Sequence, residues 1–147
     1  MNKSIIIIAI LAIIVVVLAS FLLWPQPTQA PNPNQTPQVV EGIEVFTPKP
    51  NEIIASPVKI TGRVNGGGWI GFEGEVGIVK LFDANANQLA IGFLTAQGEW
   101  MQKEINFEGN LTFVSPGSGT GSLVFYNENP SGDPARDKMF TLPIVFQ

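Results

Sequence analysis

The sequence contains neither cysteine nor histidine. Without cysteine there is no disulfide, no thiolate metal site, no cysteine nucleophile and no acylated lipoprotein-type cysteine. Without histidine the commonest zinc sites and the Ser-His or Cys-His nucleophile pairs cannot be assembled. Charge is scarce too: 14% of residues are charged, and none lies between Lys3 and Glu41. From Glu41 onward there are 7 basic and 12 acidic residues, a balance of 7 − 12 = −5. An acidic region without a basic cluster suits neither nucleic acid nor an anionic lipid surface. A helical period is also missing beyond the N-terminal segment. No window there repeats its apolar residues at 3.6.

What is present falls into three parts. Ile5 to Leu23 reads IIIIAILAIIVVVLASFLL, nineteen apolar or small residues without a charge. As a helix this run is about 28 Å long, close to the ~30 Å hydrocarbon core of a bilayer. Residues 1–24 are therefore expected to form a transmembrane anchor or uncleaved signal, with Trp24 at the far interface. A cleaved signal peptide is the alternative, although its apolar region is usually about 7–15 residues. The one small-residue cleavage pattern, Thr28-Gln29-Ala30, is followed by Pro31. Lys3 on one side, and no basic residue before Lys49 on the other, place the N-terminus in the cytoplasm and the remainder outside.

Residues 25–40 form a Pro/Asn/Gln-rich linker. Pro25 to Gln38, PQPTQAPNPNQTPQ, offers too little apolar surface to offset its ordering entropy. An extended polyproline-type chain of this length reaches about 40 Å.

Residues 41–147 read as all-β. VKITGRV (58–64) alternates apolar and polar positions, and MFTLPIVF (139–146) puts Phe140, Leu142, Ile144 and Phe146 together on one face. Further strands are expected at 43–47, 75–83, 88–96, 99–107, 110–115 and 121–127. Turn residues separate them, including DANAN, Gln97-Gly98, Gly109-Asn110, PGSGTG and NPSGDP. Seven or eight short strands in this length fit an immunoglobulin-like β-sandwich. Pro143 lacks the N–H for a ladder bond, so the last strand is expected at an edge or bulged there.

Three motifs invite a chemical reading. In GGGWIGFEGE (66–75), Gly66, Gly68 and Gly71 match G-x-G-x-x-G. A dinucleotide loop must open a helix, and here another strand follows, with Glu73 and Glu75 repelling phosphate. No nucleotide or other cofactor is expected. Asp83, Asn85 and Asn87 alternate like the first ligands of a calcium loop, but Gln88 and Leu94 replace its glycine and bidentate glutamate. A hairpin with Asx-type bonds explains DANAN more simply, and no metal site is expected. Glu73, Glu75, Glu99, Glu104 and Glu108 supply carboxylates, yet nothing pairs two of them in a pocket, so no catalytic residue is assigned. The aromatics are dense, and most are expected in the core. Trp69 and Phe72 are the candidate partner contacts, because their glycine neighbours keep them on or beside a loop. The competing reading turns both inward as core anchors.

The head resembles the bacterial spore germination immunoglobulin-like domain, the second of the domain families associated with the GerM type. The resemblance rests on TPKPNEIIASPVKITGRV, on WIGFEG running into IVKLFD, and on AQGEWM (96–101). It continues through INFEGNLTF, PGSGTGSLVF, NPSGDPARD and the closing LPIVF. Family members carry a shorter D-x-D-G turn where this chain has DANAN, which changes that hairpin. The resemblance implies an extracytoplasmic, non-enzymatic module, commonly attached to an N-terminal signal or anchor. The expected function is a single-pass, membrane-anchored binding or scaffolding module of the cell envelope. Its expected partner is an envelope protein or wall polymer. The alternatives are a secreted soluble domain, or an accessory subunit giving affinity to an envelope enzyme.

Overall fold

The computed structural model describes residues 41–147. The expected anchor (1–24) and linker (25–40) lie outside the described residues. Among the described residues no helix is long and apolar enough to cross a membrane.

Eight strands run in chain order: β1 Ile43–Thr47, β2 Ile53–Ile54, β3 Val58–Val64, β4 Glu75–Asp83, β5 Gln88–Ala96, β6 Ile105–Leu111, β7 Gly119–Asn127 and β8 Met139–Phe146. The helical content described is one 3-10 turn, Pro134–Arg136, capped by Asp133. The strands form one hydrogen-bonded ladder in the order β1-β3-β6-β5-β4-β7-β8-β2. β5 joins the two halves. It pairs with β4 from Phe82↔Gln88 to Glu75↔Thr95, and its last two residues pair with β6.

The halves face each other across one apolar core. β3 and β6 contribute Ile60, Val64, Phe107 and Leu111. β4, β7 and β8 contribute Val79, Leu81, Leu123, Phe125, Leu142 and Ile144. Phe125 lies against Phe140 at 5.7 Å between ring centroids, and Phe113 meets Phe146 edge-on at 5.9 Å. The inward residues come from the period-2 alternation of the strands, and burying them is the main stabilising term. The architecture is an immunoglobulin-like β-sandwich.

β1, β3, β4, β5 and β8 have the bounds that alternation gives them, and β7 starts two residues earlier than 121. The segment 99–115 differs. Two strands, 99–107 and 110–115, are expected around a Gly109-Asn110 turn. One strand, Ile105–Leu111, runs straight through it. Gly109 is there for closeness rather than for turning: a Cβ on it would stand 2.9 Å from the Phe93 carbonyl oxygen of β5. β2, two residues long, has no counterpart in the pattern.

Pro143 sits inside β8 opposite Ser122 of β7. Its carbonyl accepts from the Asn51 N–H on the opposite side, towards β2. Its ring nitrogen points that way as well, beyond the Ile53↔Val145 and Ile54↔Phe146 pairs that make up β2. The missing donor therefore costs the β7 ladder nothing.

Candidate docking surface

The glycine-rich stretch is two tight turns in succession. The Trp69 N–H donates to the Gly66 carbonyl at 2.9 Å, across Gly67 and Gly68 with φ of 60° and 90°. Phe72 and Glu75 exchange two bonds of 2.8 and 2.9 Å, across Glu73 and Gly74 with φ of 51° and 90°. Positive φ at both central residues with such bonds is the type I′ hairpin geometry, which explains the glycines. Glu73 is exposed and accepts positive φ beside Gly74.

The two candidate aromatics part company here. Trp69 is 3% exposed and belongs to the core. Its ring lies against Gly42, where a Cβ would come within 2.7 Å of Cδ1. Trp69 is therefore a core anchor and presents no side-chain surface to a partner. Phe72 is 38% exposed and meets Trp100 edge-on at 6.4 Å. The structure separates them into a buried anchor and a rim residue.

The two outer faces of the sandwich have opposite character. On β1, β3 and β6 the outward residues include Glu44, Lys59, Arg63 and Glu108. They form ion pairs: Lys59 Nζ to Glu108 at 2.9 Å, Arg63 to Glu44 at 3.0 Å and Arg63 to Glu104 at 3.3 Å. Lys59 holds the Glu108 carboxyl below the ordinary carboxylate value. This is the solvated exterior expected of an antiparallel sheet.

On the other side the outward positions are apolar. Register puts Phe93 and Tyr126 either side of Ile78, and Ile91 and Val124 either side of Lys80. Met139 lies beside Tyr126, and Thr141 beside Val124. Ile91 is 56% exposed, Phe93 62% and Met139 62%. Val124 is buried by its neighbours although it lies outside the core cluster. Among the described residues, Lys80 is the one charged group on these central positions, with Nζ 5.0 Å from the centroid of the Tyr126 ring. Clusters of exposed apolar side chains on a soluble domain mark contact surfaces.

This face is dimpled. One depression of about 480 Å³ lies over Ile78, Lys80 and Tyr126 and is closed by Glu128, Asp137 and Lys138. A second, of about 390 Å³, lies over Phe82, Val124 and Thr141 with Asp83 at its end. Tyr126 and Met139 line both. Around the edge of the sandwich, a further concavity of about 320 Å³ is lined by Gly68, Ile70, Glu128, Pro130, Arg136 and Lys138.

Local bonding fixes these rims. Asn127 Nδ2 donates to the carbonyls of Gly68 and Arg136 at 2.9 and 3.1 Å, and its Oδ1 accepts from the Lys138 N–H at 2.8 Å. One side chain thus ties the glycine turn to the loop before β8. Asp83 Oδ1 accepts from the N–H groups of Asn85 and Asn87, and Oδ2 from Asn87 Nδ2, the Asx-type turn expected for DANAN. Those bonds, that from the Asn87 side chain foremost, lower the Asp83 pKa. Burial, and then the charge of Glu75, push Glu128 above its ordinary value. Among the described residues no group of three or more potential ligands could hold a metal ion.

The family model described as the immunoglobulin-like domain of bacterial spore germination matches residues 42–133. The chain belongs to this family. No curated protein and no solved structure matches the chain at a significant level. In this spore-germination immunoglobulin-like domain the match takes in β1 to β7, and β8 completes the sandwich beyond it.

This apolar exterior is not singled out by the sequence. Phe93 is one of a dense set of aromatics of which most, not all, are expected in the core. The available signal was that QLAIGFLTA and SLVFY are apolar at both alternations, whereas VKITGRV is apolar at one. Such two-sided strands are normally buried on both faces. A sandwich has only one interior, so one set had to lie outside.

Proposed function

We propose that the chain is a membrane-anchored, extracytoplasmic binding module of the cell envelope, acting without catalysis of its own. Its docking site is the outer face of β5, β4, β7 and β8. The observation that carries this reading is the contrast between the two exteriors. One is an ion-paired lattice around Arg63. The other exposes Ile91, Phe93 and Met139 around a single lysine. The family supports an envelope setting, because its description ties the domain to bacterial spore germination. The apolar run 5–23 and the proline-rich linker support a tether that holds the domain off a bilayer.

Site-specific photocrosslinking in cells tests the docking reading. A crosslinker at Phe93 is expected to yield one discrete adduct, and a crosslinker at Thr61 on the opposite exterior none. Equal labelling from both positions would remove the reason for choosing this face. The intact mass of the mature protein tests the tether, since loss of about the first 30 residues would show a secreted form.

A further inference from the structure

The docking reading above can be taken further, because the charge on that face is patterned. Lys80 stands at the middle of β4, with Ile78 and Phe82 two residues to either side. Asp83 closes one end of the face; Glu128 and Asp137 close the other, where Lys138 also stands. Across the face the order is Asp83, then Lys80, then a rim whose two carboxylates outnumber its one lysine. Ile78 and Phe82, which line separate depressions, are about 13 Å apart along the strand.

A second copy of the chain fits this pattern poorly. A two-fold dimer through the face sets Lys80 against Lys80. With the axis across β4 it also sets the Asp83 end of one copy against the Glu128 and Asp137 end of the other, and with the axis along β4 each end meets its own counterpart. Lys80 then meets Lys80 in an apolar surround that screens them little, and the ends that meet are both net acidic, Lys138 offsetting only one of the two carboxylates at its end. A partner with the inverse pattern gains at each point instead.

We propose that this face binds an extended or helical polypeptide segment of inverse pattern. The segment presents two apolar side chains roughly 13 Å apart, a carboxylate between them and basic residues at its flanks. The apolar side chains seat in the two depressions either side of the Tyr126–Met139 ridge. The carboxylate meets Lys80 Nζ from the side opposite the Tyr126 ring, so the ammonium is held between ring and anion.

The test is selection from a random displayed-peptide library on the full-length chain held in a lipid nanodisc, with empty nanodiscs subtracted. The expected result is enrichment of peptides with Asp or Glu between two apolar residues. Phe93→Ser loses them. Lys80→Glu reverses the preference at the middle position to Lys or Arg, with affinity for the original acidic peptides down about 10-fold or more. Enrichment that depends on Phe93 but shows no acidic preference, or survives Lys80→Glu, overturns this inference and leaves the docking reading standing. No Phe93-dependent enrichment overturns both. Concentration-dependent dimerisation abolished by Phe93→Ser would give the face to a second copy and overturn the inference. Unchanged melting of both variants separates lost binding from lost fold.

Discussion

Trp69 and Phe93 show how little an aromatic's identity says about its role. Trp69 sits among five glycines and is 3% exposed; Phe93 sits mid-strand and is 62% exposed. Trp69→Ala is expected to cost about 3–5 kcal/mol, because nothing nearby can fill the space. Phe93→Ser is expected to cost less than about 1 kcal/mol while removing docking. Denaturant titration of the two variants checks the contrast, and similar losses would mean that the burial assignment is wrong. Glu128 gives a pH signature. Its folded pKa is raised, so the folded state binds this proton more tightly than the unfolded chain does. Its contribution is most favourable below the ordinary value of 4.5 and is lost as pH rises through the folded value. Glu128→Gln is therefore expected to melt higher than the wild type at pH 7, the gap closing below pH 4. Asp83 and Glu108 have the opposite sign. Their folded values are lowered, so their contribution holds above the ordinary value and is lost as pH falls through the folded one.

At the scale of the element, the instructive strand is β6. Its Gly109 touches the Phe93 carbonyl oxygen region of β5, and Gly92 of β5 touches Asn110, with a Cβ there meeting its oxygen at 3.1 Å. The two glycines let the bridging strand approach β6 where the ladder passes from one half to the other. Gly109→Val is expected to destabilise by about 1–3 kcal/mol, read as a lowered denaturation midpoint. A neutral result would mean that the approach is not needed. This is also where sequence reasoning reached its limit. VKITGRV announces itself because one alternation is polar. Gly109-Asn110 carries the same residues as a hairpin turn, and only the neighbouring strand shows that it is not one. β2 is too short for any period, and exists because Ile53 and Ile54 meet β8. The exposed apolar face is hidden for a related reason. Strands apolar on both alternations do not say which set faces in. Packing against β3 and β6 decides that.

At the scale of the whole molecule, the opening segment supplies both ends of the ladder. β1 lies at one edge and β2 at the other, within a dozen residues of each other in the chain. β2 finds its partner only in β8, where Ile53 pairs with Val145, 145 − 53 = 92 residues later. β8 also brings Phe140, Leu142, Ile144 and Phe146 to the core. A chain stopped before Met139 is expected to lose its cooperative melt and its resistance to protease, and a folded product would refute that dependence.

The closing pair sets an order on biosynthesis. At a synthesis rate of about 5–20 residues per second, β8 follows β2 by roughly 5–20 s. Throughout that interval the head lacks the side of its core that Phe140, Leu142, Ile144 and Phe146 supply. Under the proposed extracytoplasmic placement, that delay would leave the head unclosed while the chain is threaded through a membrane channel. The core of the head can close only once β8 has been made.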